Sequence, residues 1–293
     1  MIRLPEKFIQ RMSQTLSGDL EDFLASYDKP PVRGVRANLL KTSPEELKSL
    51  LAYKIERSKI LEEGFVLNES PDGIGNDPYH IAGLFYIQEP SAMAPIAAAE
   101  INPGMKVLDL CAAPGGKSFA LAMEMKNEGS VTSCDIHAHK ISLIEKGAAR
   151  LGISIITARE ADASKFQEEF KDGFDVVVAD VPCSGLGVIR KKPDIRYKDL
   201  APTERLPAVQ AAILENVSRY VKPGGALLYS TCTVLKRENE DVANAFLARH
   251  PAFHLEAFPV PDGLGGQNGG MLTLYPHVHE ADGFFICKLR KNK

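Results

Sequence analysis

Apolar residues in the first part of this chain recur mostly with the spacing of amphipathic helices. The pattern predicts helices at residues 6–27 and 43–52 and a short extended piece at residues 35–39. Ser43 is a favourable N-cap for the second helix. Turn-forming residues are dense over residues 68–78, which indicates a boundary or an exposed loop. We therefore predict a small α+β domain over residues 1–75.

The pattern changes after residue 103, where short apolar runs alternate with helical stretches. The runs lie at residues 106–110, 130–134, 154–158, 174–179 and 226–229, and the helical stretches at residues 117–126, 139–151, 203–220 and 237–249. Nearly continuous apolar strands separated by helices are typical of a parallel sheet that is covered on both faces. A last run at residues 283–289 would complete the sheet as an edge strand, with an antiparallel direction left open. We predict an α/β domain over residues 76–293.

Glycines and acidic residues follow the ends of the first three predicted strands, where open α/β sheets bind ligands. The first strand runs through Asp109 into Cys111-Ala112-Ala113-Pro114-Gly115-Gly116-Lys117. Glycines there let a ligand approach the backbone, and a helix N-terminus can hold a carboxylate. Asp135 and Asp162 follow the next two strands. A single Asp at such a position is more often a helix cap, but three in register predict a nucleoside with an amino-acid tail, S-adenosylmethionine.

Two further strand ends each carry a cysteine. Cys183 lies in Asp180-Val181-Pro182-Cys183-Ser184, and Cys232 lies in Ser230-Thr231-Cys232-Thr233. Because both segments follow apolar runs of the predicted sheet, we expect the two thiols to face one cleft. Such a pair suits a reaction in which one thiolate adds to an electron-poor ring and a second group assists its release. A packing role is the alternative, which we expect for Cys111, Cys134 and Cys287.

Composition argues against several classes of protein. The 293 residues contain five cysteines and no Cys-x-x-Cys spacing, which disfavours a disulfide framework and a structural zinc site. The pairs His137 with His139 and His277 with His279 lack a third ligand at a supporting spacing, so we expect no metal. Residues 1–7 lack the apolar core of a signal peptide, and no apolar run approaches the ~18 residues of a membrane span. We expect a cytoplasmic protein.

Several segments together resemble one family of enzymes. They are Arg36-Ala37-Asn38, residues 86–93, residues 109–117, Asp135, Asp162, residues 180–184, Lys192-Pro193-Asp194, Thr231-Cys232, Pro276-His277 and residues 282–285. The chain is similar to the Nop2/Sun family of RNA 5-methylcytosine methyltransferases, particularly the bacterial members that act on small-subunit ribosomal RNA. The resemblance implies a Rossmann-like class I methyltransferase core with a mostly parallel seven-stranded sheet, and an N-terminal α+β domain that recognises RNA. It also implies S-adenosylmethionine as cofactor, ribosomal RNA or a ribosomal subunit as partner, and action as a monomer without a membrane.

The chemistry of cytosine methylation is consistent with two catalytic thiols. C5 is too weak a nucleophile to take a methyl group directly from a sulfonium, but addition of a thiolate at C6 makes C5 enamine-like. By resemblance, Cys232 is that nucleophile, Cys183 assists release, and Asp180 hydrogen-bonds cytosine N3. The spacing alone leaves the reverse order of the cysteines open, because DNA cytosine methyltransferases use a Pro-Cys thiol as nucleophile. The residues expected to bind the cofactor are Cys111, Ala112, Ala113, Pro114, Gly115, Gly116, Lys117, Asp135, Lys140, Asp162 and Asp180.

The net charge of −3 does not indicate a protein held to nucleic acid by its overall charge, since phosphate contacts need local Lys and Arg. Five residues in two basic groups are expected to contact RNA: Arg36, Arg190, Lys191, Lys192 and Arg196. Tyr197 or Tyr86 could stack on bases, although a tyrosine is more often simply packed. A solvated loop surface is the common alternative for a charge run.

Two other functions stay open from sequence. A methyltransferase that modifies an exocyclic amine would also line its pocket with an Asp-x-Pro motif, but it needs no thiol. A ribosome-assembly factor with an inactive methyltransferase fold would bind RNA without chemistry. The presence of both Cys183 and Cys232 argues against each. The identity of the methylated nucleoside separates the three.

Overall fold

The structure is a computed structural model that describes residues 4–16, 18–68, 73–197, 200–260, 264 and 269–293. Its helices are α1 (Glu6–Thr15), α2 (Leu20–Ser26), α3 (Pro44–Leu50), α4 (Pro78–Ile81), α5 (Ala94–Ala99), α6 (Gly116–Glu124), α7 (Ala138–Leu151), α8 (Leu206–Val217), α9 (Glu240–Arg249) and α10 (Pro276–His279). Its strands are β1 (Arg33–Ala37), β2 (Ile55–Arg57), β3 (Gly64–Leu67), β4 (Phe85–Ile87), β5 (Lys106–Asp109), β6 (Ser130–Asp135), β7 (Ile156–Glu160), β8 (Phe174–Asp180), β9 (Val221–Thr231), β10 (Phe253–Leu255), β11 (Met271–Leu274) and β12 (Phe284–Lys291).

The N-terminal sheet has the strand order β2-β3-β1-β4, and its pairings are antiparallel. Val35 and Phe65 of this sheet pack with Leu47 of α3. The hydroxyl of Ser43 accepts a hydrogen bond from the backbone N–H of Glu46 at 3.1 Å, so the predicted N-cap of α3 is confirmed. This sheet includes β4. The unit therefore extends past the boundary predicted at residue 75, because β4 pairs with β1 and not with the central sheet.

Helices α1 and α2 lie against the central domain and not against the N-terminal sheet. Their buried side chains share one apolar cluster with the loop that follows β8; its members include Phe8, Phe23, Tyr27, Leu186 and Ile189. The Tyr27 hydroxyl donates a hydrogen bond to the Leu186 carbonyl at 3.0 Å. The segment predicted as helical at residues 6–27 therefore forms two helices that support the loop carrying Cys183.

The central sheet runs β10-β12-β9-β8-β5-β6-β7, and β11 pairs with β12 beside this path. The strands from β5 to β9 pair in parallel, as the alternation of strands and helices predicts. β12 runs antiparallel to its partners β9, β10 and β11. The predicted mostly parallel α/β sheet is confirmed, but the placement of residues 283–289 at its edge is wrong. The short strands β10 and β11, which the hydrophobic pattern does not reveal, pair with the far side of β12.

Apolar side chains of the central strands pack against helices on both faces of the sheet. Alternation along β8 shows this directly, because Val176 and Val178 pack in a cluster with Phe119 of α6, whereas Val177 packs in a cluster with Leu214 of α8. The carboxyl ends of the parallel strands are thereby left as the open edge of the sheet. Within the ranges given above, no helix combines the length and apolar character needed to cross a bilayer.

Candidate active site

The loop between β5 and α6 depends on two consecutive glycines. Gly115 has a φ of +108°, and a Cβ atom on it would lie 2.3 Å from the ring of Phe119. Gly116 begins α6, and a Cβ atom there would lie 3.1 Å from the ring of Tyr86. The first glycine is required for its left-handed conformation and the second for clearance. The two glycines therefore allow a sharp turn from β5 into α6, and this turn lies beside open space.

That open space includes a cavity of about 600 Å³ at the carboxyl ends of the parallel strands. Predicted site residues from five strand ends line it: Cys111, Ala113, Asp135, Lys140, Asp162, Asp180, Cys183 and Cys232. They meet because parallel strands present their carboxyl ends at one edge of the sheet. Ile136 and Val209, which the sequence analysis did not identify, add apolar surface to the cavity wall.

Two carboxylates stand at the end of the cavity nearest β6 and β7. Asp135 is buried, and its Oδ1 accepts a hydrogen bond from the N–H of His137 at 3.0 Å and lies 3.5 Å from Lys140 Nζ. Asp162 accepts a hydrogen bond from the Ser164 hydroxyl at 2.6 Å, which holds the pKa of Asp162 below its ordinary value. This end of the cavity can therefore accept hydrogen bonds from hydroxyl or amino groups of a ligand.

Asp180 joins this region to the two cysteines. Its Oδ2 lies 2.6 Å from Lys117 Nζ, and its Oδ1 accepts a hydrogen bond from the Ser230 hydroxyl at 2.8 Å. Burial acts to lower the pKa of Lys117, but the charges of Asp180 and Asp109 outweigh it, and the pKa of Lys117 is raised. Lys117 is therefore a largely buried ammonium held at a carboxylate, in a cavity wall that also includes the Asp180 side chain next to the two thiols.

Cys183 and Cys232 lie in direct contact, as the sequence predicts for two thiols in one cleft. Both are free cysteines, and their Sγ atoms form a hydrogen bond at 3.1 Å. The hydrogen bond from Cys183 lowers the pKa of Cys232, assisted by the charges of Lys117 and Lys192. The same hydrogen bond, then burial and the charge of Glu238, raise the pKa of Cys183. The cations near Cys232 and the carboxylate near Cys183 therefore favour Cys232 as the thiolate of the pair.

The turns that carry the cysteines are joined by short polar and backbone contacts. The Ser184 hydroxyl donates to the Thr233 hydroxyl at 2.9 Å. The Gly187 N–H donates to the Cys232 carbonyl at 3.0 Å, and the Gly283 N–H donates to the Gly187 carbonyl at 2.8 Å. A Cβ atom on Gly187 would lie 2.0 Å from the Gly283 carbonyl oxygen. The contact between the turns therefore requires glycine, which composition alone did not indicate.

A smaller cavity of about 300 Å³ lies on the other side of the glycine loop. It shares Cys111, Ala113 and Asp180 with the larger cavity, and its further wall residues include Ala112, Pro114, Gly116, Lys117, Tyr86, Gln88 and Lys191. The Oε1 atom of Gln88 is buried without a hydrogen-bond partner among the described residues. The two cavities meet at Asp180, so one carboxylate can contact ligands in both.

The structure divides the residues expected to contact RNA. Arg36 is 1% exposed, with its guanidinium near Met123, and Arg190 is 7% exposed and ion-paired with Asp282 at 3.2 Å. The prediction that Arg36 and Arg190 contact phosphate directly is therefore wrong, since both side chains are buried in the interior. Lys191 and Lys192 are exposed beside the site. The side chain of Arg196 lies outside the described part of the structure.

The remaining cysteines lie within the fold or at the cavity wall, whereas His137 and His139 are exposed. Cys134 and Cys287 are fully buried in the apolar cluster beneath α8 and α9. Burial raises the pKa of Cys111, so this thiol stays neutral at the cavity wall. The ring of His277 packs edge-on against Phe23 at 5.5 Å. In the described ranges, no three His, Cys, Asp or Glu side chains are grouped to hold a metal ion.

A mostly parallel sheet with helices on both faces, and a ligand cavity at its strand ends, is a Rossmann-like arrangement, and the chain shares it with a solved methyltransferase homolog described below, so the fold is that of a class I methyltransferase. The family described as 16S rRNA methyltransferase RsmB/F matches residues 97–290, and the N-terminal domain of 16S rRNA methyltransferase RsmF matches residues 4–90. The chain belongs to this family of 16S rRNA methyltransferases, which confirms the predicted Nop2/Sun membership.

The probable ribosomal RNA small subunit methyltransferase B of Bacillus subtilis (strain 168) is 40% identical over 271 residues, which cover 89% of this chain and 60% of that protein. The ribosomal RNA small subunit methyltransferase F of Escherichia coli O81 (strain ED1a) is 34% identical over 309 residues, which cover 100% of this chain and 64% of that protein. The chain thus spans less than two thirds of the length of these curated relatives.

Solved structures share the fold over nearly the whole chain. A methyltransferase homolog protein from Pyrococcus horikoshii is 30% identical with a TM-score of 0.85, covering 98% of this chain and 95% of that one. The structure of NSun6 from Pyrococcus horikoshii with SFG is 21% identical with a TM-score of 0.86, covering 100% of this chain and 99% of that one. The N-terminal unit and the central sheet therefore occur together in other proteins.

Proposed function

We propose that this protein is an S-adenosylmethionine-dependent methyltransferase of small-subunit ribosomal RNA that methylates cytosine at C5. Family membership supports the coarser activity, since both curated relatives carry the name of a small-subunit ribosomal RNA methyltransferase. The observation that carries the C5 proposal is the Cys183–Cys232 contact at 3.1 Å, beside the Asp180–Lys117 ion pair. Methylation of an exocyclic amine needs no such thiols.

The residues of the larger cavity fit S-adenosylmethionine, whose methyl group is the electrophile of the reaction. The buried carboxylate of Asp135 would accept hydrogen bonds from ribose hydroxyls, and Asp162 would contact the adenosine part. The N–H groups after Gly115, at the start of α6, border the adjoining smaller cavity and would hold the carboxylate of the amino-acid tail where the two cavities meet. The volume of about 600 Å³ leaves room beside the cofactor for a base at the cysteines.

Addition of Cys232 to cytosine is the first step of the proposed mechanism. The Cys232 thiolate forms a bond to C6, and the electrons of the C5=C6 bond make C5 nucleophilic. The ring gains charge during addition, so N3 takes a proton through the Asp180–Lys117 pair. The low dielectric of this buried region strengthens that electrostatic support. C5 would then take the methyl group that S-adenosylmethionine supplies, and the electrons of the broken methyl–sulfur bond would remain on the sulfur of a neutral thioether product.

Release requires the loss of the C5 proton, and the state of Cys183 changes when addition occurs. In the free protein the hydrogen bond to Cys232 is the largest cause that raises the pKa of Cys183. Once Cys232 is bonded to C6, that cause disappears, while burial and the Glu238 charge still disfavour the Cys183 thiolate. Cys183 would therefore pass its own proton to water before it acts as the base. The Cys183 thiolate then takes the C5 proton, the C–H electrons re-form the C5=C6 bond, and the C6–S bond breaks. Cys232 regains its charge, and N3 returns its proton to the Asp180–Lys117 pair.

The target cytidine must leave any base stack to reach the thiols. We propose that its nucleotide enters beside the smaller cavity, between Asp180 and Lys191. Lys191 and Lys192 would contact the RNA backbone, and Tyr197, which is 79% exposed, would stack on a neighbouring base. The N-terminal unit would extend the RNA contact, with the protein acting as a monomer.

Product analysis tests this proposal. Purified protein, S-adenosylmethionine and in vitro transcribed bacterial small-subunit ribosomal RNA are incubated, and the RNA is digested to nucleosides for mass spectrometry. We expect 5-methylcytidine from the wild type and from the core control Cys134→Ala, and none from Cys232→Ala. A different methylated nucleoside, or equal product from Cys232→Ala, would contradict the proposed chemistry.

A further inference from the structure

Two consecutive polar residues, Glu238 and Asn239, are completely buried next to the cysteine turns. Both are 0% exposed, and they join the 3-10 turn Lys236–Glu238 to helix α9. Neither touches the larger cavity, and the proposed mechanism does not use either. Burying a carboxylate is costly unless it has strong partners, so the partners of this dipeptide indicate its role.

Glu238 holds both neighbours of Cys183. Its Oε2 accepts a hydrogen bond from the Ser184 N–H at 2.9 Å and another from Gln210 Nε2 at 3.0 Å. The same Gln210 amide group donates to the Pro182 carbonyl at 3.0 Å. One carboxylate oxygen therefore fixes the residue after Cys183 directly and the residue before it through Gln210.

Asn239 holds both neighbours of Cys232 in the same way. Its Oδ1 accepts a hydrogen bond from the Thr231 hydroxyl at 2.6 Å, and its Nδ2 donates to the Thr233 carbonyl at 3.0 Å. Because Glu238 and Asn239 are adjacent in the chain, the two cysteine turns are tied to one short piece of backbone. A shift of either turn would therefore disturb its hydrogen bonds to this dipeptide.

The charge of Glu238 also separates the two thiols. Its carboxylate disfavours ionisation of Cys183, as do burial and the neighbouring Cys232. Cys232 instead faces the cations of Lys117 and Lys192, with the carboxylate of Asp180 opposing them. Glu238 Oε1 has no hydrogen-bond partner among the described residues, so the charge is not fully compensated.

We propose that Glu238 and Asn239 act as positioning residues that hold Cys183 and Cys232 in contact and keep the shared proton on Cys183. Three hydrogen bonds link the dipeptide to residues that flank the cysteines, and Gln210 links it to a fourth, Pro182; together they set the separation of the thiols. The Glu238 charge favours the proton on Cys183. This inference rests on the proposed function only in taking both cysteines as catalytic. It adds residues outside the cavity to the requirements of the reaction.

Thiol labelling without RNA tests the charge. Iodoacetamide alkylation of each cysteine is followed by mass spectrometry from mildly acidic to mildly basic pH. In Glu238→Gln, which keeps the side-chain volume, we expect the ratio of Cys183 to Cys232 labelling to rise about tenfold, the effect of a change of one in relative pKa. The matched control Asp241→Asn removes an exposed carboxylate of α9 and should label like the wild type.

A second variant tests the position of Cys232. Asn239→Ala removes both hydrogen bonds to the Cys232 turn, so the pKa of Cys232 should rise and its labelling at neutral pH should slow several-fold. Asn244→Ala, on the exposed side of α9, is the control and should leave labelling unchanged. If Glu238→Gln lost its cooperative melting transition, the comparison of Asn239→Ala with Asn244→Ala would alone test the positioning role.

The outcomes separate the two proposals. Unchanged labelling in folded Glu238→Gln and Asn239→Ala, together with wild-type methylation, would overturn the positioning role and leave the proposed function intact. Shifted labelling in a protein whose wild type forms no 5-methylcytidine would support the positioning role and reject the proposed function. Slower methylation at unchanged KM in these variants, rescued at higher pH in Asn239→Ala, would support both the positioning role and the proposed function.

Discussion

The thiols of Cys183 and Cys232 differ in their tendency to ionise because different charged residues surround them. Lys117 and Lys192 act on Cys232, whereas Glu238 acts on Cys183. Both cysteines were predictable from sequence, because each follows an apolar strand. The residues that distinguish them were not, since a buried Glu in a turn has the same local pattern as a solvated one. Arg36 shows the same limit, because its interior position depends on packing between domains.

Replacing Cys183 by Ala should leave the enzyme attached to its substrate. Cys232 can still add to C6 and the methyl group can still transfer, but loss of the C5 proton slows. We expect a thiol-linked protein–RNA complex that survives denaturing gel electrophoresis and is absent from the double variant with Cys232→Ala. Normal turnover by Cys183→Ala would show that Cys183 is a packing residue.

Asp135→Ala should weaken binding of S-adenosylmethionine measured by calorimetry without RNA. A loss of about 10- to 100-fold is expected, because hydrogen bonds to a charged group contribute about 1.5–3 kcal/mol. The control Asp241→Ala removes an exposed carboxylate away from the cavity and should bind normally. Equal affinities in the two variants would remove Asp135 from the cofactor site.

Asp109, buried at the end of β5, should make stability depend on pH. Burial raises its pKa from 3.8 to about 6, against a hydrogen bond from Ser118. Between these values the native state holds more protons than the unfolded chain, so the free energy of unfolding falls as pH rises. Urea unfolding should show that this loss, about 2–3 kcal/mol, is absent in Asp109→Asn and retained in the control Asp241→Asn. Parallel pH curves for both variants would contradict it.

At the scale of elements, the sequence predicted the strands that run in parallel better than those that do not. Runs such as β8 are apolar on both faces, which marks them as central strands. β10 and β11 have three and four residues and pair with β12 from distant parts of the chain. So short a segment has no reliable period. Strand pairing at this edge is therefore a tertiary property.

The contact between the loop after β8 and the start of β12 should tolerate no side chain. A Cβ atom on Gly283 would lie 2.5 Å from Val234 and 2.8 Å from the Gly187 Cα atom. We expect Gly283→Ala to lower the free energy of unfolding by about 1–3 kcal/mol through overpacking. Gly269→Ala, where the added Cβ meets open space, is the control. Thermal melting of the two variants measures the difference, and equal melting temperatures would refute the tight contact.

At the scale of the whole molecule, helices α1 and α2 support the Cys183 loop, whereas the N-terminal sheet contributes Tyr86 to the wall of the smaller cavity. Phe23 of α2 is fully buried and packs against Phe8, Tyr27, Tyr275 and His277. The sheet has a separate core. A change in the core of α1 and α2 should therefore affect the Cys183 loop more than a change in the core of the N-terminal sheet.

Phe23→Ala and Phe65→Ala test this division. Each removes a fully buried ring and should cost about 3–5 kcal/mol. Hydrogen exchange at residues 186–189 should accelerate in Phe23→Ala, whereas in Phe65→Ala the acceleration should be confined to the N-terminal sheet. Faster exchange of residues 186–189 in both variants, or in neither, would show that α2 has no special role in supporting the loop.

The hydrogen bond from Tyr27 to Leu186 joins residues 159 positions apart. During synthesis, α1 and α2 leave the ribosome long before the loop that covers them exists. At translation rates of about 5–20 residues per second, they wait on the order of 10 s with their apolar faces unpaired. A ribosome-bound chain that stops before β8 would therefore have neither of the two cysteine turns nor a cover for α1 and α2.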